Sequence, residues 1–178
     1  MTVKKMIFVA IMAAVICVCS WITIPFTVPF TMQTFAVFCT VLLLGGKYGL
    51  LSIGVYILLG AVGVPVFSGF NGGIGHIIGP TGGYIVGFVF IGLCWLVFEG
   101  IIKNRFWMKV LVLSLGLVLC YLLGTIWFSV VMSTRGSDYS FWTVLTICVF
   151  PYILPDLAKM LLAIFIAGRV KKLIKLDV

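Results

Sequence analysis

Charge is what this sequence has least of: Asp, Glu, Lys and Arg make up 9% of its 178 residues, and only four of these are acids. That leaves too little polar surface to clothe a water-soluble globule, and a mean hydropathy of +1.34 excludes that class. There is one histidine and no CxxC pair among the six cysteines, so no metal-site spacing is visible. The cysteines are scattered through apolar stretches and read as helix-packing residues. Gly46-Lys47 is followed by Tyr48, and Val41 stands where a phosphate-binding loop needs its first glycine, which excludes a nucleotide-hydrolysing motor. No Ser-Lys or Ser-His constellation of recognisable spacing is present, which argues against an enzyme, intramembrane hydrolysis included.

What the chain has instead is long apolar runs. A hydrocarbon core roughly 30 Å thick needs about 20 apolar residues per helical crossing. The sequence predicts an all-α integral membrane protein, one domain over 1–178, with six transmembrane helices at about 6–24, 32–45, 50–63, 84–102, 108–132 and 152–173. The first run has no small-x-small cleavage site and is expected to be retained as a helix. Pro25 and Pro29 mark the first connection, and Gly45-Gly-Lys47-Tyr-Gly49 reads as a tight turn. Pro151 and Pro155 predict a short lead-in over 142–150 and a sixth helix from about Asp156.

Basic residues orient the bundle. With the N-terminus inside, Lys4, Lys5, Lys47, Lys103, Arg105, Lys109, Arg169, Lys171, Lys172 and Lys175 collect on the cytoplasmic side, and the outer loops hold only Arg135. Both termini are therefore expected in the cytoplasm. The outer side then carries 25–31, the glycine-rich stretch 68–83 and the start of the last helix. Irregular backbone at membrane depth is tolerated where it lines a cavity, so an outward-facing ligand cavity is expected there.

Asp156 and Lys159 stand i, i+3 on one helix face inside an otherwise apolar segment. A charge at the bilayer centre costs about 2.5–3.5 kcal/mol on insertion scales, so both charges need a reason. A self-neutralising structural pair is one; a ligand site is the other, with Lys159 attracting an anionic or carbonyl group and Asp156 accepting N–H donors. Asn71 offers an amide donor and acceptor to a ligand, or loop-turn chemistry beside Gly72-Gly73. His76 reads as a loop hydrogen-bonding residue ahead of a proton or ligand role. Gln33 either lines the cavity or caps the second helix. Phe67, Phe70 and Tyr84 flank the glycine-rich loop and can wall a flat, partly apolar ligand. Of the glycines at 75, 79, 83 and 87, only Gly83 and Gly87 are placed for close helix packing, since Pro80 breaks the series. Ala10 and Ala14 form a small-xxx-small strip on the first helix, suited to packing within the bundle or against another protein.

Three segments, Pro29-Phe-Thr-Met-Gln-Thr-Phe35, Gly60-Ala-Val-Gly-Val-Pro-Val-Phe67 and Gly79-Pro-Thr-Gly-Gly-Tyr84, resemble the signature segments of the BioY family, and the likeness runs from about Met6 to Val170. The family comprises the biotin-binding S components of energy-coupling factor (ECF) transporters. The resemblance implies a six-helix cell-membrane subunit that captures biotin outside and works with a transmembrane scaffold subunit and two ATPase subunits. It implies no cofactor, biotin being the cargo. It carries ligand-binding roles to Asn71, Asp156 and Lys159, with Gln33 and Tyr84 beside them, and scaffold docking to Ala10 and Ala14. The competing expectation is an autonomous, proton-coupled secondary carrier of a small anion, against which stands the lack of an internal inverted repeat.

Overall fold

A long apolar run in hydrocarbon must satisfy its backbone N–H and C=O groups within itself, and for an open chain only the helix does so. The computed structural model describes residues 3–102, 105–136 and 139–174. Its helices are α1 (Val3–Trp21), α2 (Gln33–Val62), α3 (Ile74–Ile78), α4 (Gly82–Ile102), α5 (Phe106–Thr134), α6 (Phe141–Cys148) and α7 (Phe150–Ile174). Among these, α1, α2, α4, α5 and α7 are long and apolar enough to cross a membrane. Their most apolar stretches are only 33–44% buried, and side chains such as Val97, Leu111, Val130 and Phe165 point outward. So large an apolar exterior suits lipid rather than water. Five of the cysteines are buried and Cys19 is half-buried, none in a disulfide.

α2 reverses direction at a single residue. Gly45 sits at φ +77°, ψ 177°, open to glycine and strained for any other residue. The Gln33 amide reaches the Tyr56 hydroxyl, and a Cβ on Gly49 would lie 3.0 Å from Val41 Cα, so the arms 33–44 and 46–62 lie side by side. The turn expected over 45–49 is thus made at Gly45 alone, and helix resumes at once. The reason lies in α4: the Glu99 carboxylate accepts the Gly46 N–H at 3.2 Å, meeting one of the unpaired donors of the new helix start.

Two further expectations change in detail. The end of the 25–31 connection pairs back on the two residues before it as a short antiparallel hairpin, β1 (Thr23–Ile24) with β2 (Phe30–Thr31). Pro151 and Pro155 do not delay the last helix, which begins at Phe150. Pro151 falls in the first turn, where its missing N–H has no helical acceptor, and Pro155 forfeits one bond near the helix start. The anticipated lead-in is α6, which ends at Cys148.

The most extensive seam runs between α4 and α5. A Cβ on Gly87 would lie 3.1 Å from Cys120 Cα, and one on Gly116 would lie 2.7 Å from Ile91 Cα. Glycines from both helices let the backbones approach, as small residues do in membrane helix pairs. Lys5 lies over the Tyr48 ring at 4.9 Å, and Lys109 and Lys171 share a cleft with Glu99. The start of α1, the Gly45 turn, the end of α4, the start of α5 and the end of α7 therefore meet at one end, called here the lysine end. Lys103 and Lys175, expected with them, lie outside the described residues.

Candidate ligand-binding site

The opposite end holds a cleft enclosing about 600 Å³, its open mouth included. The hairpin β1–β2 and the start of α2 supply Val28, Thr31, Gln33 and Thr34; α4 supplies Tyr84, Ile85 and Phe88. α5 adds Tyr121, and α7 adds Tyr152, Asp156 and Lys159. The hairpin is pinned over the cleft because the Tyr152 hydroxyl donates to the Val28 carbonyl.

At its base lie the two charges, Asp156 at 3% and Lys159 at 7% exposure, which is burial enough to demand partners. They pair directly at 2.8 Å. The Lys159 ammonium also donates to the Thr31 carbonyl at 2.7 Å and to Thr34 Oγ1 at 3.3 Å, so its three N–H bonds are occupied. Its charge rests 4.0 Å from the centre of the Phe30 ring. Asp156 accepts from the Thr34 hydroxyl at 2.8 Å and, on its other oxygen, from the Tyr121 hydroxyl at 2.5 Å. Thr34 thus donates to the acid and accepts from the base. A helix pair, a hairpin carbonyl and a tyrosine from α5 lock one network, preorganised to meet donors and acceptors on a guest. Tyr121→Phe removes one charge-assisted bond, and ligand affinity is expected to fall on the order of tenfold. Calorimetry on the purified variant checks this, and unchanged affinity would remove Tyr121 from the site.

The Tyr84 hydroxyl is buried near Thr125 yet makes no hydrogen bond of good geometry. A buried hydroxyl without a partner on a cleft wall is free to bond a guest. Gln33 is buried on the wall, its amide held between Tyr56 and the Thr31 hydroxyl.

The BioY family model matches residues 1–176. The chain belongs to the BioY family. It is 37% identical over 172 residues to the probable biotin transporter BioY of Pyrococcus horikoshii, covering 96% of this chain and 98% of that one. It is 36% identical to the biotin transporter BioY of Thermotoga maritima, covering 96% and 97%. Its fold is similar to a crystal structure described as the S-component for biotin from an ECF-type ABC transporter, with a TM-score of 0.85 and 28% identity over 97% of this chain and 95% of that one. The likeness to BioY proteins is therefore of whole chain to whole chain, and the protein is a multi-pass membrane protein of that family.

Of the side chains singled out in the sequence, this BioY chain brings Gln33, Tyr84, Asp156 and Lys159 to the cleft. It does not bring Phe67, Phe70 or Asn71 into its lining. Phe67 is fully buried in the core, edge-on to Tyr56 and filling the space a Cβ on Gly60 would take. Phe70, at φ +58°, turns outward onto the Trp21 ring. Asn71 bends back so that its amide N–H₂ donates to the Ser68 carbonyl at 2.8 Å, as in a turn; Ser68 is itself at the cleft wall. Thr34, Tyr121 and Tyr152 were not anticipated. Thr34 lies inside the Pro29–Phe35 segment and was legible there; Tyr121 and Tyr152 carried no signal beyond being polar tips in apolar runs.

His76, in α3, stacks on Phe67 at 5.2 Å with its Nε2 buried and unpartnered. Burial holds its pKa below the usual 6.5. The unfolded chain then takes up the proton more readily than the folded one, so this loop is most stable above about pH 6.5 and loses stability as pH falls through that value. The melting temperature should drop more between about pH 7.5 and pH 5 in the native chain than in His76→Asn. Parallel drops would mean that the ring does not titrate against the fold.

Proposed function

We infer that the cleft binds biotin and that the chain is the substrate-capturing S component of an ECF-type ABC transporter in the cell membrane. The observation that carries this reading is the buried Asp156–Lys159–Tyr121–Thr34 network beneath apolar and aromatic walls. Biotin's ureido group has two N–H donors and one carbonyl acceptor, and its thiolane and alkyl chain are apolar. Asp156 supplies the acceptor, and Lys159 becomes the donor by exchanging its longest bond, the one to Thr34 Oγ1 at 3.3 Å, for the guest's carbonyl, with Tyr84 as a further donor. Asn71 acts at the rim, where its amide oxygen remains available while its nitrogen holds Ser68. Ile85, Phe88 and Tyr152 face the apolar parts. Phe67 and Phe70 support the loop that carries Asn71. The chemistry is binding, not catalysis.

The two arms of α2 count as separate crossings, which makes six with α1, α4, α5 and α7. The lysine end faces the cytoplasm with both termini, and the cleft opens outward, as the positive-inside rule directs. ATP hydrolysis belongs to partner subunits, reached through a transmembrane scaffold. Ala10 and Ala14 are exposed, whereas Ala13 between them is buried, so the strip looks away from its own bundle and is free to dock the scaffold. Ala14→Trp is expected to abolish uptake by the assembled transporter and leave biotin affinity unchanged in the purified chain. A complex that still assembles and transports would discard the docking role.

The deciding experiment titrates the purified chain with biotin by calorimetry and follows biotin uptake by the complete transporter under ATP depletion. Saturable binding and loss of uptake are expected. Uptake that survived ATP depletion and collapsed with an uncoupler would point to the proton-coupled carrier instead.

A further inference from the structure

At the lysine end a second cleft, of about 540 Å³ including its mouth, opens between α4, α5, α7 and the first arm of α2. Lys109 and Lys171 face it from two different helices, with Glu99 beside them and Leu42, Trp95 and Ile164 forming an apolar wall. Glu99 is committed elsewhere: it accepts the Gly46 N–H and sits where a Cβ on Gly45 would be, 2.5 Å from its Oε1. Among the described residues the one ion pair is Asp156–Lys159, so neither lysine at this end has a carboxylate within salt-bridge distance. Lys171 feels the like charge of Lys109 more strongly than the opposite charge of Glu99. Two ammonium groups converging on a half-apolar cleft at a membrane boundary repel each other unless an anion stands between them.

We propose that this cleft binds an anionic phospholipid, its phosphodiester held between Lys109 and Lys171 and one acyl chain lying along Leu42, Trp95 and Ile164. The apolar wall selects a lipid over a free anion, since inorganic phosphate gains nothing from Trp95 or Leu42. Glu99, an acceptor beside the phosphate position, favours a headgroup that offers hydroxyl donors, such as glycerol, over one that offers a carboxylate. No residue of the biotin cleft takes part, so this assignment stands or falls separately.

The test is native mass spectrometry of the full chain released from nanodiscs of phosphatidylcholine containing phosphatidylglycerol. The native chain is expected to retain phosphatidylglycerol. The double variant Lys109→Gln/Lys171→Gln should retain on the order of tenfold less, with each single variant in between. Lys172→Gln, which removes an equal charge next to the cleft, should behave as the native chain does. Biotin binding measured on the same samples is expected to be unchanged, which separates loss of the lipid site from loss of the fold. Millimolar inorganic phosphate should leave the lipid in place. Equal retention by native and double-variant chains, an equal loss in Lys172→Gln, or displacement by inorganic phosphate would each overturn the proposal.

Discussion

Replacing Asp156 with alanine is expected to abolish measurable biotin binding and to lower stability, because the variant leaves the Lys159 ammonium buried without its counter-ion. Breaking a buried pair by removing one partner costs about 3–5 kcal/mol. Thr34 and Tyr121 lose their acceptor at the same time. Asp156→Asn keeps the volume but not the charge, and the same loss of binding is expected of it. Lys159→Ala should also abolish binding, with a smaller drop in melting temperature, since Asp156 keeps its bonds from Thr34 and Tyr121. The double variant Asp156→Ala/Lys159→Ala then separates two roles. No uncompensated charge remains, so its melting temperature should rise above that of Asp156→Ala, and its binding should stay absent. Calorimetry and thermal unfolding on the four purified chains read both quantities. Near-native affinity in any of these variants would sink the assignment of the pair to the ligand.

A second large effect is expected at a residue with no side chain. A Cβ at Gly124 would fall 2.2 Å from Tyr84 Cδ1 and 2.3 Å from Cε1. An aromatic ring cannot swing aside as the end of a flexible chain can, and behind Tyr84 lies the cleft. Gly124→Leu therefore drives the ring into the binding space, and biotin affinity should fall about a hundredfold, the upper range for overpacking a tight site. Gly124→Ala should give a smaller loss in the same direction. Gly54→Leu is the matched control, because nothing stands within 4 Å of a Cβ there, and native affinity is expected of it. If Gly124→Leu bound biotin as the native chain does, Tyr84 would not be a wall of the site.

The charged base of the cleft was legible in the sequence because an acid and a base one helical turn apart in an apolar run are costly to keep in hydrocarbon unless they face each other or a polar cavity. Thr34 and Gln33 stood inside a segment already singled out. Tyr121 was not legible: it meets Asp156 across 35 positions, and only the crossing of α5 and α7 shows which of the tyrosines in apolar runs does so. The aromatic residues of the glycine-rich loop were misread for a related reason. Phe67 and Phe70 are three residues apart, and a positive φ at Phe70 sends one ring into the core and the other onto Trp21. Nothing in the spacing sets that rotation. The prolines misled because their effect depends on where the helix starts: Pro151 falls where a helix makes no bond from its N–H, and Pro155 costs a single bond near the start.

Composition and hydrophobic run length by themselves settled that the chain is helical and embedded in lipid, since both follow from the free energy of polar groups in hydrocarbon, summed over many residues and insensitive to detail. The close approach of α4 and α5 also left a trace at Gly83 and Gly87. Only the tertiary structure decided which polar tips converge, that Gly45 alone folds α2 back on itself, and that the Asn71 amide turns back onto Ser68. Those choices depend on the rotation of each helix about its axis and on single backbone angles, and they are fixed by close packing between segments far apart in the chain.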